Sequence, residues 1–195
     1  MIIAYIDFKS LDCYLALDPL VALAQDCNVS IDWRPFVSRE RALPTQVDDA
    51  DVTHTHHRTR ADSELKLQVH YTGLRGLDVT PQRCHVDTDQ ALARLSRIEG
   101  DQTEFVVRCF DAHWRAQQDI NNAEWLDKTV ADCGVSLRES SMDLDVLQAE
   151  AEEAGLFDAP TCVIDGQLFM GRAHLPLMRR LLEAAPHTTD QPRLL

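Results

Sequence analysis

Near the C-terminal end of the chain, residues 156–171 read LFDAPTCVIDGQLFMG. Pro160 interrupts this segment, and residues 161–164 after it are apolar or β-branched, which predicts a short strand. Asp165-Gly166 is a pair typical of a two-residue type I′ turn. Residues 167–170 are therefore predicted to return as the partner strand of a hairpin.

The N-terminal part of the chain predicts a strand, a helix and a second strand. Residues 2–8 form a near-continuous apolar run, which is typical of a buried strand. Apolar residues recur at helical spacing over residues 13–24, with Pro19 inside the helix. Apolar and polar residues alternate over residues 29–36, as in a strand. A right-handed crossover would make the two strands parallel.

The middle of the chain is predicted to be nearly all helix, and a last helix is predicted to follow the hairpin. The predicted helices span residues 53–74, 88–98, 103–118, 143–153 and 175–184, with a further helix beginning after Asn121-Asn122. The resulting order is β-α-β, a helical block, then β-β-α. This order predicts an α/β thioredoxin-like fold with a large all-helical insertion. Residues 1–52 and 154–195 form the thioredoxin-like domain, and residues 53–153 form the inserted helical domain.

Composition and charge narrow the classes of partner. The chain has 195 residues and a formal net charge of −13, from 32 acidic and 19 basic side chains. This balance disfavours nucleic-acid binding and an anionic membrane surface. No signal peptide is visible, and no apolar run approaches the roughly 18 residues of a membrane helix. A cytoplasmic location is expected, where the six cysteines would be mostly free thiols.

Three segments resemble a known family. Residues 7–16, DFKSLDCYLA, are similar to the motif D-F-x-S-P-Y-S-Y-L-A, and residues 114–120 are similar to W-x-x-x-x-D-I. Residues 157–171 resemble F-G-V-P-T-F-V-V-D-G-x-x-F-x-G. These motifs are those of the DsbA-like group that includes 2-hydroxychromene-2-carboxylate isomerase and the kappa-class glutathione transferases. The resemblance implies a homodimeric enzyme that uses glutathione as co-substrate on a small aromatic or electrophilic molecule.

Ser10 and Cys13 are the candidate catalytic residues. They lie where a buried strand ends and a helix begins, and the unpaired N–H groups and dipole of a helix start favour a thiolate. The resemblance implies that the Ser10 hydroxyl donates a hydrogen bond to the sulfur of glutathione. Read from the residues alone, Ser10 is equally a helix N-cap and Cys13 a buried small side chain.

Further candidate ligand-binding residues also follow from the resemblance. It implies a cis Ala159–Pro160 bond opposite Ser10, with the Ala159 backbone pairing with glutathione in the manner of an added strand. It also implies a basic contact from His57 or Arg58. Arg172 stands where the group has a polar residue for glutathione, so it is expected to hold a ligand carboxylate instead.

The sequence departs from the group's pattern at two acidic positions. Asp12 places a negative charge beside the proposed thiolate, and Asp158 replaces a glycine. The histidines of THTHHR, residues 53–58, form the densest His cluster, but no completing ligand set is present and no metal site is predicted. Two alternatives stay open: a thiol–disulfide oxidoreductase that uses Cys13 alone, and a non-catalytic binding protein.

Overall fold

A four-stranded mixed sheet forms the centre of the computed structural model. The structure describes residues 1–38, 59, 63, 66–79, 85–139 and 143–184, and every structural statement below concerns these residues. Its strands are β1 Ile2–Ile6, β2 Ile31–Pro35, β5 Thr161–Ile164 and β6 Gln167–Met170. They run in the order β2-β1-β5-β6 across the sheet.

Helices surround this sheet and make up most of the middle of the chain. They are α1 Leu11–Asp26, α2 Asp89–Leu95, α3 Thr103–Trp114, α4 Ala123–Cys133, α5 Leu144–Glu153 and α6 Leu175–Ala184. Residues 66–74 are also helical. None of the described helices combines the length and the apolar character needed to cross a membrane.

The strand pairing confirms the predicted topology of both ends of the chain. β1 pairs with β2 in parallel, with Ile2 opposite Ile31, as the crossover through α1 requires. β5 pairs antiparallel with both β1 and β6. Asp165 and Gly166 form the predicted turn between β5 and β6, with φ angles of 48° and 78°. Both angles lie in the left-handed region that a type I′ turn needs.

The middle of the chain differs from the prediction at the ends of two helices. The helix predicted over residues 103–118 ends at Trp114. The helix predicted over residues 88–98 ends at Leu95, and Ile98–Glu99 forms a short strand, β3, antiparallel to β4, Ser136–Leu137. Arg138 N–H donates to Arg97 O at 2.8 Å. Pairing with this distant segment therefore replaces the last helical turn. The predicted boundary at residues 52 and 53 lies outside the described residues.

Aromatic side chains join α1 to α3 and hold the start of α1 in place. Tyr14, on α1, stacks on Phe110 and Trp114 of α3, with ring centroids 5.9 and 6.2 Å apart. The Tyr14 hydroxyl donates to Asp111 Oδ1 at 3.0 Å. Trp114 Nε1 donates to the carbonyl of Phe8 at 2.9 Å. Because Phe8 precedes the first turn of α1, these buried contacts fix the loop that carries Ser10.

Candidate active site

The candidate site lies where β1 ends, at the N-terminus of α1. The β1–β5 register places Tyr5 opposite Thr161, and the strands are antiparallel. Asp7 lies two residues after Tyr5, and Ala159 lies two residues before Thr161, so Asp7 and Ala159 are at the same level. The loop from Asp7 to Ser10 and the Ala159–Pro160 segment therefore share one end of the sheet.

Ser10 is the N-cap of α1. Its backbone is extended, with φ −81° and ψ 116°, and its Oγ accepts a hydrogen bond from Cys13 N–H at 3.3 Å. A hydroxyl that accepts one hydrogen bond can still donate its own proton, and the Cys13 sulfur competes for that proton with any ligand, since the Ser10 side chain lowers the pKa of the Cys13 thiol through a hydrogen bond. Ser10 is half-buried, at the positive end of the helix dipole. A hydroxyl donor thus lies beside a helix N-terminus that favours an anion.

Cys13 lies one turn into α1 and faces the interior. Only 1% of the residue is exposed, and its Sγ accepts a hydrogen bond from Asp7 N–H at 3.5 Å. Burial raises the pKa of the Cys13 thiol well above its usual value of 9.0, and this outweighs a hydrogen bond with the Ser10 side chain that lowers it. The position suits a protonated core thiol better than a nucleophile.

Asp7 supports the site, and the sequence interpretation did not single it out. Its buried carboxylate accepts hydrogen bonds from Ser38 N–H at 2.7 Å, Lys9 N–H at 3.1 Å and the Thr88 hydroxyl at 3.2 Å. Burial raises the pKa of the Asp7 carboxyl, although hydrogen bonds from Ser38 and the hydrogen bond and charge of Lys9 partly oppose the shift. Asp7 therefore ties the loop before Ser10 to the segment that follows β2 and to the N-cap residue of α2. The sequence did contain a signal for this role, because Asp7 is the one acidic residue within the apolar run of residues 2–8.

Arg172 lies close to Asp12, at the first turn of α1. Its Nη2 lies 3.8 Å from Asp12 Oδ1, and its guanidinium carbon lies 4.1 Å from the ring centre of Tyr71. The Arg172 side chain is 18% exposed and that of Asp12 is 42% exposed. A second donor reaches Asp12, from Gln68 Nε2 at 3.0 Å. The structure thus brings Arg172 to the α1 N-terminus, where its charge partly neutralises Asp12.

The helical residues 66–74 and the turn after them cover α1 with polar contacts. Gln68 meets Asp12, and Arg75 donates to the carbonyl of Leu15 at 3.1 Å and pairs with Asp18. Burial lowers the pKa of Arg75, and the positive charges of Arg115 and Arg172 act in the same direction. Arg115 and Arg172 therefore each repel the positive charge of Arg75, although the chain as a whole is acidic.

The Ala159–Pro160 bond is cis, as predicted. Ala159 is buried, and its N–H donates to Oδ1 of the preceding Asp158 at 2.9 Å. The Asp158 carbonyl accepts from the Thr161 hydroxyl at 2.6 Å, and the Pro160 carbonyl accepts from Gly171 N–H at 2.8 Å. Hydrogen bonds thus fix the backbone at Asp158 and at Pro160, and the Ala159 N–H is bonded to the side chain of Asp158.

The other predicted contacts have different outcomes. His57 and Arg58 lie outside the described residues, as do the remaining histidines of residues 53–58. Where the structure describes the chain, no group of three or more His, Cys, Asp and Glu side chains is placed to hold a metal ion.

An open cleft of about 690 Å³ lies at the other end of the sheet, where β1 and β2 begin, and is lined by Met1, Asn28 and Ile31 among others. This cleft is therefore separate from Ser10.

Comparisons with known proteins agree with this architecture. A family model described as a DSBA-like thioredoxin domain matches residues 1–183. No curated protein sequence matches the chain significantly.

Two solved structures are similar along almost the whole chain. A 2-hydroxychromene-2-carboxylate isomerase has a TM-score of 0.60 and 16% identity, over 93% of this chain and 94% of that one. A probable DsbA oxidoreductase from Streptomyces coelicolor has a TM-score of 0.52 and 14% identity, over 100% of this chain and 93% of that one. At these identities the likeness shows the fold, which is the predicted thioredoxin-like one.

Proposed function

The chain belongs to the DSBA-like thioredoxin domain family, and from this premise we propose that it is a glutathione-dependent isomerase or transferase acting on a small aromatic or electrophilic substrate. One observation carries the proposal: the Ser10 hydroxyl caps α1 at the end of the sheet that it shares with Ala159–Pro160. A hydroxyl donor and a helix N-terminus together suit the sulfur of a bound thiolate. Extended backbone beside them suits the peptide part of glutathione.

In this proposal Ser10 acts on the sulfur, and Cys13 stays in the core. The Ser10 hydroxyl donates to the glutathione thiolate and lowers the pKa of that thiol. The thiolate then adds to an electrophilic carbon of the substrate, forming a carbon–sulfur bond. In isomerisation, a bond of the adduct rotates before the thiolate leaves with its electron pair. In transfer, a leaving group departs instead, and neither route needs an oxidant.

The burial and raised pKa of Cys13 support glutathione over Cys13 itself as the source of the reacting thiolate. A thiol–disulfide oxidoreductase would need Cys13 to be exposed and partly ionised near neutral pH. A non-catalytic binding protein would use Ser10 only as the N-cap of α1, and the Ser10 substitutions in the Discussion separate that role from a catalytic one. The burial of Cys13 favours the glutathione-dependent activity over the thiol–disulfide alternative.

Arg172 extends the proposal to the rest of the ligand. Its guanidinium lies against Tyr71 and near Asp12, and most of the side chain is buried. A fixed, partly desolvated guanidinium is suited to bind a carboxylate through two parallel hydrogen bonds. We assign to Arg172 a carboxylate of glutathione or of the substrate. His57 and Arg58 remain proposed as basic contacts.

A cytoplasmic homodimer completes the proposal. Several large apolar side chains are exposed on the single chain, among them Leu67, Val69 and Leu74 on the helical residues 66–74 and Phe157 near the site. Apolar surface of this kind is favourably removed from water when two copies associate. The reducing cytoplasm would supply glutathione and keep the cysteines as thiols.

Calorimetric titration with reduced glutathione tests the proposal. The titration is run at pH 7 in two buffers that differ in ionisation enthalpy, so that proton release on binding is measured. Binding as the thiolate must release part of a proton, because the free thiol is mostly protonated at this pH. S-methylglutathione, which has no ionisable thiol, is the matched control and should release none. Absence of glutathione binding at millimolar concentration would refute the proposed function.

A further inference from the structure

Within the Ala159–Pro160 segment, the Ala159 N–H is the only backbone donor that a ligand at this end of the sheet could use. Ala159 lies at the level of Asp7 across the β1–β5 pair, and Asp7 N–H in turn contacts Cys13 Sγ. Pro160, which follows, has no N–H to donate. A peptide-like ligand that adds beside this segment therefore depends on Ala159 for its backbone hydrogen bond.

The Asp158 side chain already accepts a hydrogen bond from this N–H. Its Oδ1 accepts from Ala159 N–H at 2.9 Å, a normal hydrogen-bond length. The Asp158 backbone is fixed from the other side, because its carbonyl accepts from the Thr161 hydroxyl at 2.6 Å. The carboxylate thus makes the hydrogen bond that the carbonyl of a peptide-like ligand would need.

We propose that Asp158 is a specificity-determining residue that restricts peptide-like ligands at Ala159. A ligand must displace the Asp158 carboxylate before it can use the Ala159 N–H. Glutathione is then weakened relative to a site without an acidic side chain, while a substrate that does not use the Ala159 backbone is unaffected. This inference rests on the proposed function, since it concerns glutathione at the same site.

The test compares Asp158→Ala with Asp158→Asn by titration with reduced glutathione. Alanine removes the acceptor, whereas asparagine keeps an acceptor oxygen of the same reach and removes only the charge. A hydrogen bond between protein groups contributes modestly, so freeing the donor should tighten glutathione binding about three- to tenfold in Asp158→Ala. The gain in Asp158→Asn should be clearly smaller. Thermal unfolding of each variant checks that the fold is kept.

The outcomes separate the inference from the proposed function. Wild-type binding of glutathione with no gain in Asp158→Ala overturns the inference and leaves the proposed function standing. An equal gain in both variants also overturns it, because charge alone would then explain the effect. Failure of the wild type and of both variants to bind glutathione overturns the two together. A variant that unfolds is replaced by Asp158→Gly, judged by the same criteria.

Discussion

Ser10 has two roles in this structure, and two substitutions separate them. As N-cap, its Oγ accepts a hydrogen bond from Cys13 N–H at 3.3 Å. In the proposed function, its hydroxyl donates a hydrogen bond to the glutathione sulfur. Ser10→Ala removes both. Loss of the cap should lower the free energy of unfolding by about 1 kcal/mol. For a chain of 195 residues this corresponds to a fall of roughly 2–4 °C in melting temperature.

The second role has a larger expected effect. A hydrogen bond to a charged group contributes about 1.5–3 kcal/mol. At about 1.4 kcal/mol for each factor of ten, Ser10→Ala should weaken the binding of glutathione thiolate by about ten- to a hundredfold. Binding of S-methylglutathione should change little, because its sulfur is neutral. Calorimetry with the two ligands measures this difference directly.

Ser10→Asp is the matched control for the cap. Aspartate caps helices as well as serine does, so the stability lost in Ser10→Ala should be largely retained. An ionised aspartate has no proton to donate and repels a thiolate, so glutathione binding should fall at least as far as in Ser10→Ala. If Ser10→Ala loses stability but binds glutathione within about twofold of the wild type, Ser10 is only a cap and the reasoning is wrong.

The remaining predictions concern Cys13, Asp7 and the oligomeric state. Cys13 should resist iodoacetamide at pH 7 in the folded protein and react on unfolding, because it is 1% exposed and its pKa is raised; mass spectrometry of the labelled chain would reveal a contrary fast reaction. The folded-state pKa of Asp7 is raised above its ordinary 3.8, so the stability of the wild type relative to Asp7→Asn should fall as pH rises from about 4 through that raised pKa. Urea unfolding over a pH series measures this trend, and a flat difference would contradict it. Light scattering at micromolar concentration should give twice the 22.1 kDa of one chain, and a monomer mass would refute the homodimer.

Much of the fold could be predicted because its signals are local. A buried strand is a continuous apolar run, and the Asp165-Gly166 pair marks its own turn. β3 and β4 escaped prediction because each has only two paired residues, and Ile98 meets Leu137 from 39 positions away. No periodicity within residues 88–98 signals such pairing, so the apolar Ile98 was assigned to the preceding helix.

In the candidate site too, features set by local sequence could be predicted, whereas contacts between distant residues could not. The N-cap role of Ser10 follows from the preference for serine at a helix start, and the structure shows Ser10 capping α1. The network of Asp7 was not predicted, because its partners Ser38 and Thr88 lie 31 and 81 positions along the chain. Arg172 likewise packs on Tyr71 from 101 positions away. Only the folded chain brings such partners together.

Two carboxylates give this site a character that membership of the family does not specify. Asp158 engages the Ala159 N–H, and Asp12 lies beside the Arg172 guanidinium. The Ala159 N–H therefore already has an acceptor, and the Arg172 guanidinium already lies near an anion. A ligand gains only the difference between its contacts and those it displaces, which favours molecules with carboxylates placed to replace both. Since fold alone does not determine function, we expect substrate choice in this chain to depend on these exchanges at the N-terminus of α1.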